Sequence, residues 1–205
     1  MMKTISLLRR VTLVAVAAGT LGGCAALVVG GAVGTALLAV DRRSPGVQIE
    51  DQAIELKAGN RIRESVGERG HVSATSYNRI LLLTGEVASE ADRTAIEQNV
   101  SRIENLRSTV NELAVMGASS FTARSNDTVL TSKVKASYLD AKDLQANVIK
   151  VVTERGTVFL MGRVTEREAT RATDLARGVS GVQKVVRVFE ILTEAELAAL
   201  GGNRS

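Results

Sequence analysis

Read for its alternation of apolar and polar positions, the chain repeats itself. Ile54, Ala58 and Ile62 recur at i, i+4 and i+8 behind Asp51, and Leu130, Val134 and Tyr138 recur in the same way behind Asp127, 76 residues later. One-sided recurrence at this spacing predicts a helix whose stripe faces a core. Downstream of each stripe come two apolar runs joined by turn residues. "HVSATS" and "RILLLTGEV" flank Tyr77-Asn78, and "NVIKVVTE" and "TVFLMGRV" flank Arg155-Gly156. Asn and Gly tolerate positive φ, so each pair of runs reads as a β-hairpin. A second helix opens at Ser89 and again at Thr165, where Asp92 and Glu168 supply the acidic residue three positions on that a capping box uses. A last strand is built on Leu106 and Val110 in one copy and on Val182 and Val186 in the other.

The pattern is therefore α-β-β-α-β, written twice. Gly85 aligns with Gly162 and Val87 with Val164 at a spacing of 77, so one deletion in the second helix or its exit separates the copies. The expected fold class is α+β, with two tandem αββαβ modules, each a three-stranded mixed sheet covered by two helices. A unit of about 65 residues is near the lower limit for a self-sufficient core. The expected modules are residues 50–116 and 126–193, with a Gly- and Ser-containing linker at 117–125 and a tail at 194–205.

The start of the chain follows a different pattern. "MMKTISLLRR" is a positively charged n-region, "VTLVAVAAGT" an apolar h-region, and "LGGC" a small-residue cleavage site. No charge occurs from Val11 to Val40, a stretch longer than the ~20 residues of a membrane span. Gly19, Gly22, Gly23, Gly30, Gly31 and Gly34 interrupt it, and "LGGC" resembles a bacterial lipobox. The expectation is a signal peptide over 1–23, acylation at Cys24, and a Gly-rich apolar tether over 24–49. That resemblance also implies transport to the outer membrane, because Ala25 stands where an Asp would be the inner-membrane retention signal. Two or more acyl chains anchor stably, at about 0.8 kcal/mol per buried methylene.

Processing changes what the charge means. Loss of Lys3, Arg9 and Arg10 leaves 23 of the 26 basic residues against 22 acidic ones. With no continuous basic stripe, and no more than two Tyr and three Phe for base stacking, nucleic-acid binding is excluded. The modules differ in sign: residues 51–115 carry 8 basic and 10 acidic side chains, residues 127–192 carry 11 and 8. Only the second suits an anionic surface.

"LGGCAA", "DRRSPGVQIED", "SNDTVLTSKVKASYL" and above all "VFLMGRVTEREATRATDLARGVSGV" resemble the BON domain family, in tandem behind a lipoprotein signal. The resemblance implies a periplasm-facing outer-membrane lipoprotein, palmitate-modified at Cys24, whose second module binds anionic phospholipid through its first helix, Asp127 to Leu139. It further implies division-site enrichment, support of envelope integrity, and contact with the outer-membrane protein assembly machinery. It brings no catalysis and no cofactor. With Leu130, Val134 and Tyr138 facing the core, the lipid-contacting residues carried over are Val129, Ser132, Lys133 and Ala136, with Lys135 further round. At position 129 the family often has Trp, whose amphipathic ring suits the headgroup boundary, so the valine here predicts weaker membrane affinity. An interaction scaffold docking envelope proteins, without direct lipid recognition, is the alternative.

Other chemistry is poorly supported. Cys24 and His71 are the only residues of their types, so neither an internal disulfide nor a Cys/His metal cluster can form. The carboxylate pairs Glu90/Asp92 and Glu166/Glu168 fall in first helical turns, where exposed amides favour negative charge, so capping explains them. No metal site, catalytic residue or enzyme activity is expected.

Overall fold

Two short helical stripes and six strands would not each bury a core alone, and the chain solves this by stacking the two modules. The computed structural model describes residues 41–67 and 69–202, all of which belong to one compact unit. Module one contains α1 (Pro45–Val66), β1 (His71–Tyr77), β2 (Ile80–Val87), α2 (Glu90–Val100) and β3 (Ser108–Val115). Module two contains α3 (Phe121–Asp140), β4 (Ile149–Glu154), β5 (Thr157–Thr165), α4 (Glu166–Gly178) and β6 (Lys184–Leu192), followed by α5 (Glu194–Gly202). In each sheet the central strand pairs antiparallel with its hairpin partner and parallel with the strand that returns after the helix.

Alternate residues of the central strands face opposite layers. Leu81, Leu83 and Val87 pack under α1 and α2 with Ile54, Ala58 and Ile62, while Val158, Leu160 and Val164 pack under α3 and α4. The intervening Leu82, Phe159 and Met161 meet across the molecule with Tyr77. The layers are therefore helix, sheet, sheet, helix, and α1 and α3 lie on opposite outer layers. Each of these inner-seam side chains contributes ~1.5–3 kcal/mol by burial, enough to fold the modules as one body.

Both repeated aspartates have a structural explanation. Asp51 accepts from the amides of Asn78 (2.8 Å) and Arg79 (2.7 Å) in the first hairpin turn, and Asp127 from those of Arg155 (2.7 Å) and Gly156 (2.8 Å) in the second. The hairpin amides thus gain buried, charge-assisted acceptors from the preceding helix. The second turn is Arg155-Gly156 as expected, but the first is Asn78-Arg79, one residue later than Tyr77-Asn78, with φ of 49° and 64°.

Three boundaries also move. The expected tether to residue 49 already contains the first turn of α1, capped by Ser44 with Pro45 at its first position. The expected linker 117–125 gives its second half to α3, capped by Ser120. The expected tail forms α5, whose start is closed by Thr193 and Glu196 exchanging hydrogen bonds of 2.8 and 3.2 Å. Among the described residues no helix is long and apolar enough to cross a membrane.

Candidate lipid-contact site

The site is built on α3, and helical geometry decides which of its side chains face outward. Asp127, Leu130, Val134 and Tyr138 are buried, and the Tyr138 hydroxyl donates to the carbonyl of Ala172 at 3.0 Å. At 100° per residue, the opposite crest falls on Ser125, Val129, Ser132 and Ala136. All four are exposed, as are Lys133 and Lys135. The structure therefore brings Val129, Ser132, Lys133 and Ala136 together, with Lys135 on the far shoulder. Cys24 lies outside the described residues.

Two residues extend the crest that sequence reasoning did not select. Phe121 and Leu139 are 79% and 71% exposed, more than the 54% of Val129. Their signal was present, since 121, 125, 129, 132, 136 and 139 follow one another at steps of four and three. Phe121 was lost to the assumed linker.

Crest hydroxyls also suit a surface that leaves water. Ser125 donates to the carbonyl of Phe121 (3.0 Å) and Ser132 to that of Thr128 (3.0 Å), so neither needs water for its proton. Such back-bonding lowers the cost of desolvation.

On one flank of α3 a groove of about 720 Å³ runs between Val129 and Lys133 on one side and Met116, Ser119 and Arg155 on the other. Glu86 closes its floor. This carboxylate is fully buried, accepts from the Ser119 amide at 3.2 Å, and lies 4.0 Å from the Arg155 guanidinium. Glu154 faces the same seam from β4. Its carboxyl is pushed up to about 7, first by burial and then by the carboxylates of Glu86 and Asp127, against the pull of Arg155 and Arg124.

A raised acid pKa means that the folded protein keeps a proton the unfolded chain has released. Stability should therefore fall as pH rises from 4.5 towards 7 and level off above. Glu154→Gln is expected to flatten this slope and to stabilise the protein at about pH 8 by ~1–2 kcal/mol, allowing for solvent screening of a half-buried group. Urea midpoints of both proteins at about pH 5 and pH 8 check it; an unchanged slope would place the titrating group elsewhere.

On the other flank, a smaller cleft of about 400 Å³ joins Lys135 and Leu139 to Asp41, Arg43 and Tyr77. The start of the described chain is thus beside the C-terminal half of α3. Arg43 lies 4.1 Å over the Tyr77 ring and pairs with Asp41 and Asp51, both at 2.7 Å. Tyr77 is pushed up to about 12, chiefly by burial.

Two αββαβ modules, the second with a solvent-facing first helix, define a small tandem-module α+β protein. The BON domain profile matches residues 50–117 and 126–193, and the chain belongs to the BON domain family. It is 36% identical over 191 residues to the outer membrane lipoprotein DolP of Haemophilus influenzae, which covers 92% of this chain and 99% of that protein. A 21 kDa hemolysin of Actinobacillus pleuropneumoniae is 28% identical over 152 residues, 73% of this chain and 78% of the other. The osmotically-inducible protein Y of Escherichia coli is 28% identical over 117 residues, 56% and 58% respectively. Location follows from the first of these similarities, which spans nearly both chains: a lipid-anchored outer-membrane protein.

Proposed function

We propose that the chain binds anionic phospholipid through the crest of α3, that acyl chains on Cys24 hold it at the periplasmic face of the outer membrane, and that it thereby supports envelope integrity. The observation that carries this reading is the crest itself, where Phe121, Val129 and Leu139 stay exposed on one helix with Lys133 and Lys135 on either side. Apolar side chains enter the headgroup boundary while each lysine near an anionic surface contributes ~1 kcal/mol.

Flotation of a fragment of residues 41–205 with anionic and with zwitterionic vesicles tests the reading. Binding is expected to the anionic vesicles alone and to weaken with salt. Val129→Glu combined with Lys133→Glu should reduce it by at least roughly 30-fold, since one attraction is lost and two repulsions appear. Val129→Trp should strengthen it. Equal flotation of the doubly acidic variant would refute this site.

A second reading, an interaction scaffold, has its own observation. On α1, Ile49 and Leu56 are 67% and 68% exposed and Ala53 lies between them on the same crest, in the layer opposite α3. With α3 on the membrane, this stripe would face the periplasm. Photocrosslinking from position 56 in intact cells should then capture an envelope protein, and capture of none would count against the scaffold.

A further inference from the structure

"DRRSP", one of the stretches that marks the family resemblance, is not used by the helix crest. Its side chains nevertheless make a dense set of polar contacts. Arg42 is 6% exposed and donates to both oxygens of Glu168, at 2.7 and 2.8 Å, and to the carbonyl of Arg163 at 2.8 Å. Arg163 returns a bond to the Arg42 carbonyl at 3.1 Å. The next residue, Arg43, is fixed to module one through Asp51 and Tyr77. Consecutive arginines thus grip different modules.

Burying such an ion pair is a poor way to gain stability, because desolvation cancels most of the attraction; what it supplies is a defined geometry. The geometry here concerns where the anchored segment arrives. Seventeen residues from Cys24 to Asp41 can span at most ~60 Å, about twice the ~30 Å length of α3, so segment length alone orients nothing. The arrival point does, and it lies in the cleft with Lys135 and Leu139.

We propose that Asp41, Arg42 and Arg43 form a clasp that holds the end of the lipid-anchored segment beside the C-terminal half of α3, so that the anchor presents this helix to the bilayer. The inference rests on the lipid-contact reading and explains how a crest with Val129 in place of a tryptophan suffices. Once the acyl chains are inserted, binding of α3 is intramolecular, and a favourable attachment point raises its effective concentration without any new contact. Arg42 and Arg43 are positioning residues, since neither needs to touch lipid.

The test uses the full acylated chain in vesicles of phosphatidylethanolamine with phosphatidylglycerol. A polarity-sensitive fluorophore is placed on Ser125→Cys, on the α3 crest, or on Leu56→Cys, in the opposite layer. Immersion is expected at 125 and not at 56. Arg42→Ser with Glu168→Gln removes the first grip, leaves no lone buried charge, and keeps a residue type compatible with the capping box. It should lower the immersed-to-exposed ratio at 125 roughly tenfold or more while flotation stays complete. Arg43→Ser is the second variant; Asp51 keeps Ser76, Asn78 and Arg79, so the fold is retained and a smaller loss is expected. Immersion at 125 that is indifferent to both variants overturns the clasp and leaves the lipid-contact reading standing. A parent protein whose label at 125 stays in water overturns both.

Discussion

Arg42→Ala is expected to destabilise the folded body by about 3–5 kcal/mol at neutral pH, because it strands the carboxylate of Glu168 in a site that is 4% exposed. Burial by itself would raise the Glu168 pKa. The Arg42 hydrogen bonds and the Thr165 amide overcome that and hold the carboxyl below the usual range. A depressed folded pKa gives stability that is present above the unfolded value and is lost as pH falls through the folded one. Without Arg42 the balance reverses. Burial then dominates, and the variant should recover part of its loss as pH falls from neutrality towards the ordinary carboxylate value of 4.5, because the stranded group takes up its proton before the unfolded chain does. Urea unfolding of the parent, Arg42→Ala and Arg42→Ala/Glu168→Gln across that range checks the prediction, with the double variant expected to be more stable than the single one at neutral pH. A penalty below ~1 kcal/mol would mean that the pair is solvated in practice.

This pair shows where sequence reading stops. The strand and helix order was legible because it is local: the stripes at 54/58/62 and 130/134/138 have a helical period, Arg155-Gly156 has turn chemistry, and Thr165 with Glu168 has capping spacing. The structure contains all of these. Glu168 was read as a cap, and it is one, but its second role depends on a residue 126 positions away that no periodicity marks.

The contact between the modules was hidden for a different reason. In "ILLLTGEV" and "VFLMGRV" both faces are apolar, so period-two alternation disappears and the run looks like any central strand. Loss of alternation is itself the sign that both faces are covered. The candidate site lay between these extremes. The resemblance pointed to this helix, and Val129, Ser132, Lys133 and Ala136 are what its buried stripe leaves outside the core, whereas Phe121 required the N-cap at Ser120 to be recognised.

Gly85 and Gly162 align in the repeat, yet the structure predicts unequal consequences for filling them. A Cβ on Gly85 would lie 2.0 Å from the carbonyl oxygen of His71 and 3.0 Å from its carbon, and the residue has φ of 113°, outside the range side chains adopt readily. Both obstacles are backbone in the paired strand β1, where Gly85 sits opposite Val72. Nothing can give way there without separating β1 from β2. Gly162 is also crowded, with its Cβ 2.6 Å from the carbonyl oxygen of Val148, but it has no positive φ. Gly85→Ala should therefore cost at least ~3 kcal/mol, and Gly162→Ala less by the ~1–2 kcal/mol of left-handed strain. Gly59, inside α1 with nothing within 4 Å of its Cβ, is the control: Gly59→Ala should stabilise by ~0.5–1 kcal/mol through helix propensity. Urea midpoints of the three variants order them. If Gly85→Ala proved no worse than Gly162→Ala, the close approach of the neighbouring backbone, at His71 in one copy and Val148 in the other, and not the backbone conformation, would be setting the need for glycine.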